Sequence, residues 1–296
     1  MKEGKASRTA EGVAALRAAE SLKSADERVC YDPLAVYFLP AKYKLLVKSR
    51  LLTKLVIALH ERKGPGTFGC IVGRTRYIDE CLKSCIDDGI EQLVILGAGY
   101  DTRGYRFDQL KDQAKVFEVD HPATQKVKIE KVKELFGNPP DHVVYVPVDF
   151  EKERLDERLF ACGYDKNLKT LFIWEGVTMY LTAEAVDETL DFVTGNSGEA
   201  SSIVFNYVFQ SVIDGNYISE DARKIHALHE KTAEPFKFGI EEGAIDKFLS
   251  TRGFTQLKDV TGEYFKDTYC KGNNRNRKVC SLCGFVHAAV KPREGS

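Results

Sequence analysis

Five short apolar runs, each closed by turn residues, constrain this chain more than any other feature. They are QLVILGAG from Gln92, AKVFEVD (Ala114 to Asp120), HVVYVPVDF (His142 to Phe150), KTLFIWEG (Lys169 to Gly176) and SSIVFNYV (Ser201 to Val208). Helical stretches lie between them at Ala123 to Phe136, Leu155 to Ala161 and Ala183 to Thr194. A strand apolar along its whole length has both faces covered, and strands alternating with helices build a parallel sheet with helices on either side. The expected fold is α/β, with a doubly wound, mostly parallel sheet. Beyond these runs Ile240 to Thr251 reads as a helix closed by Arg252-Gly253, and Thr255 to Val260 as a strand. The polar stretch KGNNRNRK (Lys271 to Lys278) then precedes the apolar run Val279 to Val290. That pattern reads as a hairpin or long loop feeding a final antiparallel strand.

The first 90 residues carry helical spacing instead. Thr9 to Lys23 is Ala-rich, with Thr9 as the candidate N-cap and Glu11 early in the first turn, where a carboxylate suits the helix dipole. Asp32-Pro33 interrupts the pattern and can start another helix. KGPGTFG (Lys63 to Gly69) reads as a loop, and Arg74 to Asp88 as a helix ending near Gly89. Leu45 to His60 comes nearest to a membrane span, but Lys48, Arg50 and Lys54 break it well short of the roughly 18 apolar residues required. Its apolar residues recur at helical spacing. The expectation is a helix packed on the core with a solvated basic face, in preference to one lying on a membrane.

Composition narrows the function classes. A length of 296 residues suits one large α/β unit. A net charge of -1 offers no global field for nucleic acid or an anionic membrane. The eight cysteines are irregularly spaced, and MKEGKASRTAEG has no apolar core of a secretory signal. The thiols therefore read as reduced and the location as cytoplasmic.

In a doubly wound sheet, ligands bind beyond the carboxyl ends of the strands. Those ends supply Gly97, Ala98, Gly99 and Asp101; then Glu118 and Asp120; then Asp149 and Phe150; then Glu175 and Gly176. Glycines let the backbone approach a ligand closely. Asp120, 23 residues after Gly97, is spaced to accept hydrogen bonds from both hydroxyls of a ribose. Asp149 can accept from an adenine amino group, and Phe150 can add its amide or ring. The dinucleotide pattern G-x-G-x-x-G fails here, because Thr102 stands at the third glycine and Asp101 where a phosphate would go. An acid is better matched to a cationic or zwitterionic ligand such as S-adenosyl-L-methionine (AdoMet). Capping a helix is the competing role for Asp101.

GRTRYID (Gly73 to Asp79), LGAGYDTRGYRF (Leu96 to Phe107), FEVDHP (Phe117 to Pro122), VDFE (Val148 to Glu151) and WEGVTMYL (Trp174 to Leu181) occur in that order. The set resembles the leucine carboxyl methyltransferase-like family of AdoMet-dependent methyltransferases, in the bacterial and archaeal branch labelled O-methyltransferases. The resemblance runs from about Thr9 to Val290. It implies a class I methyltransferase sheet with an antiparallel last strand. It further implies one domain over residues 1–296, with a helical N-terminal cap at 1–90, a Rossmann-like core at 91–296 and an insertion at about 206–238 that helps to form the acceptor pocket. Arg74 would hold the AdoMet carboxylate, for which a guanidinium fork is suited. Gly97, with Ala98 and Gly99, would line the methionine part; Asp120 would take the ribose, Asp149 and Phe150 the adenine, and Glu175 the ammonium. Lys23 in the cap is a further candidate. The expected reaction is methyl transfer to a carboxylate or hydroxyl of a small molecule. A carboxylate needs no base, whereas a hydroxyl usually does. No base stands out, and Tyr180 reads as a packed aromatic.

Two other functions fit a similar sheet. An NAD-linked oxidoreductase would bind NADH, against which Thr102 counts; a non-enzymatic AdoMet-binding module would bind the cofactor and transfer nothing. Cys280 and Cys283 form a CxxC with Cys270 and His287 nearby, but residues at that spacing on one strand point to opposite faces, and no metal is expected. Cys81 and Cys85 read as core, His226 and His229 as surface or lid residues, and His121 as packing beside the ribose position.

Overall fold

The computed structural model describes residues 7–149, 153–217, 219–230 and 235–292, and at positions 8, 42, 48, 50 and 228–230 the backbone alone. Helices α1 (Arg8–Ser21), α2 (Ala41–Lys48), α3 (Arg50–Lys63) and α4 (Thr67–Asp87) precede the first strand, with a 3-10 turn at Ala35–Phe38. The order continues with β1 (Gln92–Leu96), α5 (Arg103–Arg106), α6 (Leu110–Gln113), β2 (Lys115–Asp120), α7 (Pro122–Phe136), β3 (Val143–Pro147), α8 (Leu155–Ala161) and β4 (Thr170–Trp174). A 3-10 turn at Thr178–Tyr180 leads to α9 (Ala183–Gly195), β5 (Ser202–Val208), α10 (Gln210–Ile213) and α11 (Glu220–Glu230). Last come α12 (Ile245–Ser250), β6 (Phe254–Thr261), α13 (Gly262–Tyr269) and β7 (Cys283–Val290).

All five apolar runs are strands, and β7 is the reversed one. The seven strands lie in the order β3-β2-β1-β4-β5-β7-β6. β1 to β5 pair in parallel, while β7 runs antiparallel to both β5 and β6. The period of two divides each strand between two cores. Leu93 and Ile95 of β1 face a layer containing Val72, Ile78 and Leu82 of α4. Val94 and Leu96 face one containing Val186, Leu190 and Val193 of α9. Register then sets the site: Leu96 is paired with Val119, and Ile95 with Ile173. The loops at Gly97, Asp120 and Glu175 therefore leave the sheet at one edge, at the point between β1 and β4 where strand order reverses.

Several expectations shift. The N-cap of α1 is Ser7, whose hydroxyl accepts from Ala10 N at 3.2 Å, so Thr9 lies inside the helix. The Lys63 to Gly69 loop is shorter than expected, because α4 starts at Thr67. The helix expected over Ile240 to Thr251 is reduced to Ile245–Ser250; Gly243, at φ +78°, interrupts it. A helix, α13, fills the connection between β6 and β7, and its Phe265 ring packs 4.7 Å from Phe285. The first residues of the 206–238 stretch, Asn206 to Val208, belong to β5.

The largest correction concerns Leu45 to His60. It is two helices broken at Ser49, and although Val47 and Ile57 reach the core, most of its apolar side faces solvent. Leu45 is 71% exposed, Leu51 77% and Leu55 56%. The inward side of α3 carries Thr53, Ile57 and His60 instead. The polar groups there have local partners: Thr53 Oγ1 donates to the Leu46 carbonyl at 3.2 Å, and His60 Nε2 lies 2.8 Å from Thr67 Oγ1. No helix among the described residues is long and apolar enough to cross a membrane.

Two polar groups within the sheet, one buried and one partly buried, are structural. Glu118, expected among the ligand-facing strand ends, is fully buried inside β2 and paired with Lys128 of α7 at 2.8 Å, with Tyr105 Oη donating at 2.9 Å. Burial raises its carboxyl pKa against the pull of that lysine. His287 of β7 lies 3.0 Å from Ser202 Oγ, and burial pushes its imidazole down to about 4. Below about pH 6.5 the unfolded chain takes up a proton that the folded chain refuses until about pH 4. Stability should therefore fall as pH drops through that window, by up to about 1.4 kcal/mol per pH unit. Urea unfolding across it should show this slope, and His287→Gln should flatten it. An equal slope in the variant would assign the effect to other groups.

Candidate active site

The loop after β1 is shaped by two glycines in the left-handed region. Gly97 has φ +67°, and a Cβ there would lie 2.4 Å from Val177 Cγ2. Gly99 has φ +45°, and a Cβ there would come within 3.2 Å of Ala10 Cβ on α1. Both positions combine a backbone that side chains resist with a close neighbour. Ala98 N donates to the Val119 carbonyl at 2.9 Å, which carries the loop across the end of β2.

Asp120 stands under this loop. Its carboxylate accepts from the backbone N–H groups of Gly99 and, at 2.6 Å, of His121. A carboxylate has about four acceptor positions, so two remain for a diol. Burial raises the Asp120 pKa and the two N–H groups oppose the rise. The Tyr100 hydroxyl nearby is buried with no hydrogen-bond partner among the described residues. Its pKa is pushed up to about 12 by burial and by the charges of Glu11 and Asp120. A buried hydroxyl beside a half-satisfied carboxylate and a glycine cradle is the environment expected around a polyhydroxylated ligand. In the loop after β3, Asp149 N donates to Glu153 Oε2 at 2.9 Å, and the Asp149 carboxylate lies 4.0 Å from His121 Nε2. His121 Nδ1 also caps α7 by accepting from Ala123 N at 3.2 Å. Phe150 lies outside the described residues.

Glu175, after β4, is held by two arginines. Arg74 Nε of α4 donates to one oxygen and Arg103 of α5 to the other, both at 2.7 Å. Burial would raise the Glu175 pKa, but Arg74 and Arg103 outweigh it and hold the carboxyl far below the usual range. The terminal nitrogens of Arg74 make no hydrogen bond among the described residues and lie beside Gly176, 3.5 Å from where its Cβ would be. A guanidinium so placed still offers a fork for a second carboxylate.

Arg103 went unnoticed in the sequence, yet it is central. Its side chain is 3% exposed and pairs with Asp79 at 2.8 Å, with Asp101 and with Glu175. Burial opposes its charge, and Asp101, Glu175 and Asp79 together outweigh burial. Arg106 also pairs with Asp79, at 2.5 Å. Beside them Arg17 of α1 pairs with Asp32 at 2.9 Å, and Asp32 accepts from Thr102 Oγ1 at 2.7 Å. Four arginines thus balance four carboxylates under one loop. Asp101 accepts from the first N–H of α5, that of Arg103, at 2.7 Å and pairs with the Arg103 side chain, so its charge is committed to this network. The sequence shows that GRTRYID and DTRGYRF each carry arginines and acids close together, but not which of them pair across the two helices.

Other candidates fall elsewhere. Lys23 pairs with Glu20 at 2.7 Å and lies over the Phe68 ring. Tyr180 packs on Phe236, ring centroids 5.7 Å apart. His226, expected at the surface, is buried, with Nδ1 2.6 Å from Tyr217 Oη and its ring stacked on Phe236; the side chain of His229 lies outside the described residues. Cys81 and Cys85 are buried in the core. Cys280 precedes β7, so it and Cys283 do not share the strand. No group of three or more His, Cys, Asp or Glu arranged to hold a metal occurs among the described residues. All eight cysteines are free thiols.

The family model for leucine carboxyl methyltransferase matches residues 10–194, which contain every residue of this site. The chain belongs to the leucine carboxyl methyltransferase family. The Bacillus subtilis relative YktD, named as an S-adenosyl-L-methionine-dependent methyltransferase, is 30% identical over 220 residues, covering 74% of this chain and 72% of the relative. A Mycolicibacterium paratuberculosis protein of the same designation is 28% identical over 83% of this chain and 82% of its own length. A methyltransferase structure from Thermobifida fusca superposes with a TM-score of 0.60 at 12% identity, covering 99% and 97% of the two chains, and supports the class I fold. Membership makes the protein an AdoMet-dependent methyltransferase.

Proposed function

We propose that the protein transfers the methyl group of AdoMet to an oxygen of a small-molecule acceptor, with a carboxylate favoured over a hydroxyl. The observation that carries the reading is the convergence of Arg74, Gly97, Asp120 and Glu175 on the carboxyl edge between β1 and β4. In this reading Arg74 turns its free nitrogens to the AdoMet carboxylate, and Glu175 faces the ammonium. Gly97, Ala98 and Gly99 line the methionine chain. Asp120 accepts from the ribose hydroxyls, and Asp149 with Phe150 flanks the adenine. Bound there, AdoMet supplies a methyl group activated by its sulfonium. The chain's own contribution is to align the acceptor with that methyl group and to exclude water.

Acid–base chemistry favours a carboxylate. Asp79, Asp101 and Glu175 are tied to arginines, and Asp120 accepts from two backbone N–H groups. None of these four is left as a base for a hydroxyl, whereas a carboxylate acceptor arrives already ionised. A nicotinamide dinucleotide is disfavoured because Thr102 is buried and bonded to Asp32 where the third glycine would stand. The free thiols suit the reducing cytoplasm, where we place the protein.

A panel of small carboxylic acids, phenols and alcohols with methyl-labelled AdoMet tests the reading. Label released as methanol by mild alkali identifies an ester and supports it. A base-stable ether moves the acceptor to a hydroxyl. Label on nitrogen or carbon, or none transferred by a sample that binds AdoMet, overturns it.

A further inference from the structure

We propose that α2 and α3 form a docking surface for an anionic lipid bilayer. On α3 the outward positions are Leu51, Leu52, Leu55, Val56 and Leu59, which are 77%, 42%, 56%, 43% and 49% exposed. They follow the i, i+1, i+4, i+5, i+8 spacing of one helix face, and Leu45 of α2 extends the patch. An apolar face turned to solvent over this length marks an interaction site.

Charge selects the occupant. Residues 41–63 contain seven Lys or Arg and one acid in a chain whose net charge is -1. The acid, Glu61, is turned inward, where its carboxylate accepts from Gly66 N at 2.8 Å and Phe68 N at 2.9 Å. Lys54 and Lys63 flank the leucines, and Arg62 closes the last turn; none has a carboxylate partner among the described residues. Lys131 of α7 lies 3.5 Å from the Leu39 carbonyl and close enough to Lys44 to feel its charge, but Glu11, Glu130 and Glu134 offset it, so the basic surface is that of α2 and α3.

Leucines flanked by Lys54, Arg62 and Lys63 match the boundary between acyl chains and anionic headgroups. A second copy fits poorly, because a two-fold contact would set this basic face against itself. A protein partner also fits poorly, since the centres of such interfaces favour aromatic anchors and are depleted in lysine. The inference is independent of which acceptor is methylated.

The test is flotation of the full chain with phosphatidylcholine vesicles, with and without phosphatidylglycerol. Binding should be at least about tenfold greater with the anionic lipid and should fall steeply with salt. Leu51→Glu/Leu55→Glu should abolish it, and Lys54→Glu/Lys63→Glu should weaken it, with thermal melts unchanged because all four positions are exposed. Absence of flotation, or flotation equal in the variants, overturns the proposal. So does a lipid-free dimer by light scattering that the leucine variant dissolves.

Discussion

Asp120→Ala is expected to lower the affinity for AdoMet and S-adenosylhomocysteine by at least about a hundredfold. Two hydrogen bonds from ribose hydroxyls to an ionised acceptor contribute about 1.5–3 kcal/mol each. Each 1.4 kcal/mol is about tenfold in affinity, so even the lower figure gives two orders of magnitude. The loop contributes as well, because Asp120 also braces Gly99 and His121. Asp120→Asn separates these effects: its one remaining oxygen can still brace one of the two N–H groups. Isothermal titration with both adenosyl ligands and with NADH reads the outcome. Neither form should bind NADH. Binding of the adenosyl ligands to Asp120→Ala within a few-fold of the parent would reduce Asp120 to a loop brace and move the ribose elsewhere.

Arg103→Met should cost about 3–5 kcal/mol of stability, the range for removing one partner of a buried ion pair. For a chain of 296 residues that corresponds to a melting point lower by roughly 5–8 °C. The cause is the three carboxylates left behind. Asp101 loses its side-chain cation, Asp79 keeps only Arg106, and Glu175 keeps only Arg74. Arg103→Lys retains the charge, but an ammonium cannot span three separate acceptors as a guanidinium does, so an intermediate loss is expected. Adding Glu175→Gln to Arg103→Met should recover part of the stability, because it removes one uncompensated charge. A melting point for Arg103→Met within experimental scatter of the parent would show that the cluster contributes nothing net.

The sheet was legible because burial on both faces leaves little freedom in composition. LVIL, VFEV and LFIW tolerate hardly any polar residue, and the turn residues after them mark the strand ends. Strand ends in turn located Gly97, Asp120 and Glu175. Partnership was harder to read. The motifs contain Arg103 and Asp79, but nothing in their spacing says that α4 and α5 bring them within 2.8 Å. Glu118 looked like a strand-end ligand because the sequence places it beside Asp120; the pleat turns it into the core towards Lys128. Orientation was hardest. The apolar periodicity of Leu45 to His60 predicts an amphipathic helix, and it is silent on which side meets the protein. Interior packing is the usual answer, and here Thr53, Ile57 and His60 take it.

The sheet order carries a consequence for synthesis. β7 lies between β5 and β6, yet it is translated after both. Until residues 283–290 have left the ribosome, β5 presents an open edge from Ser202 to Val208, and β6 has no neighbour to pair with. In the finished fold every residue of that edge is buried. A nascent chain paused in this interval would expose a flat apolar strand, the shape most prone to pair with another molecule.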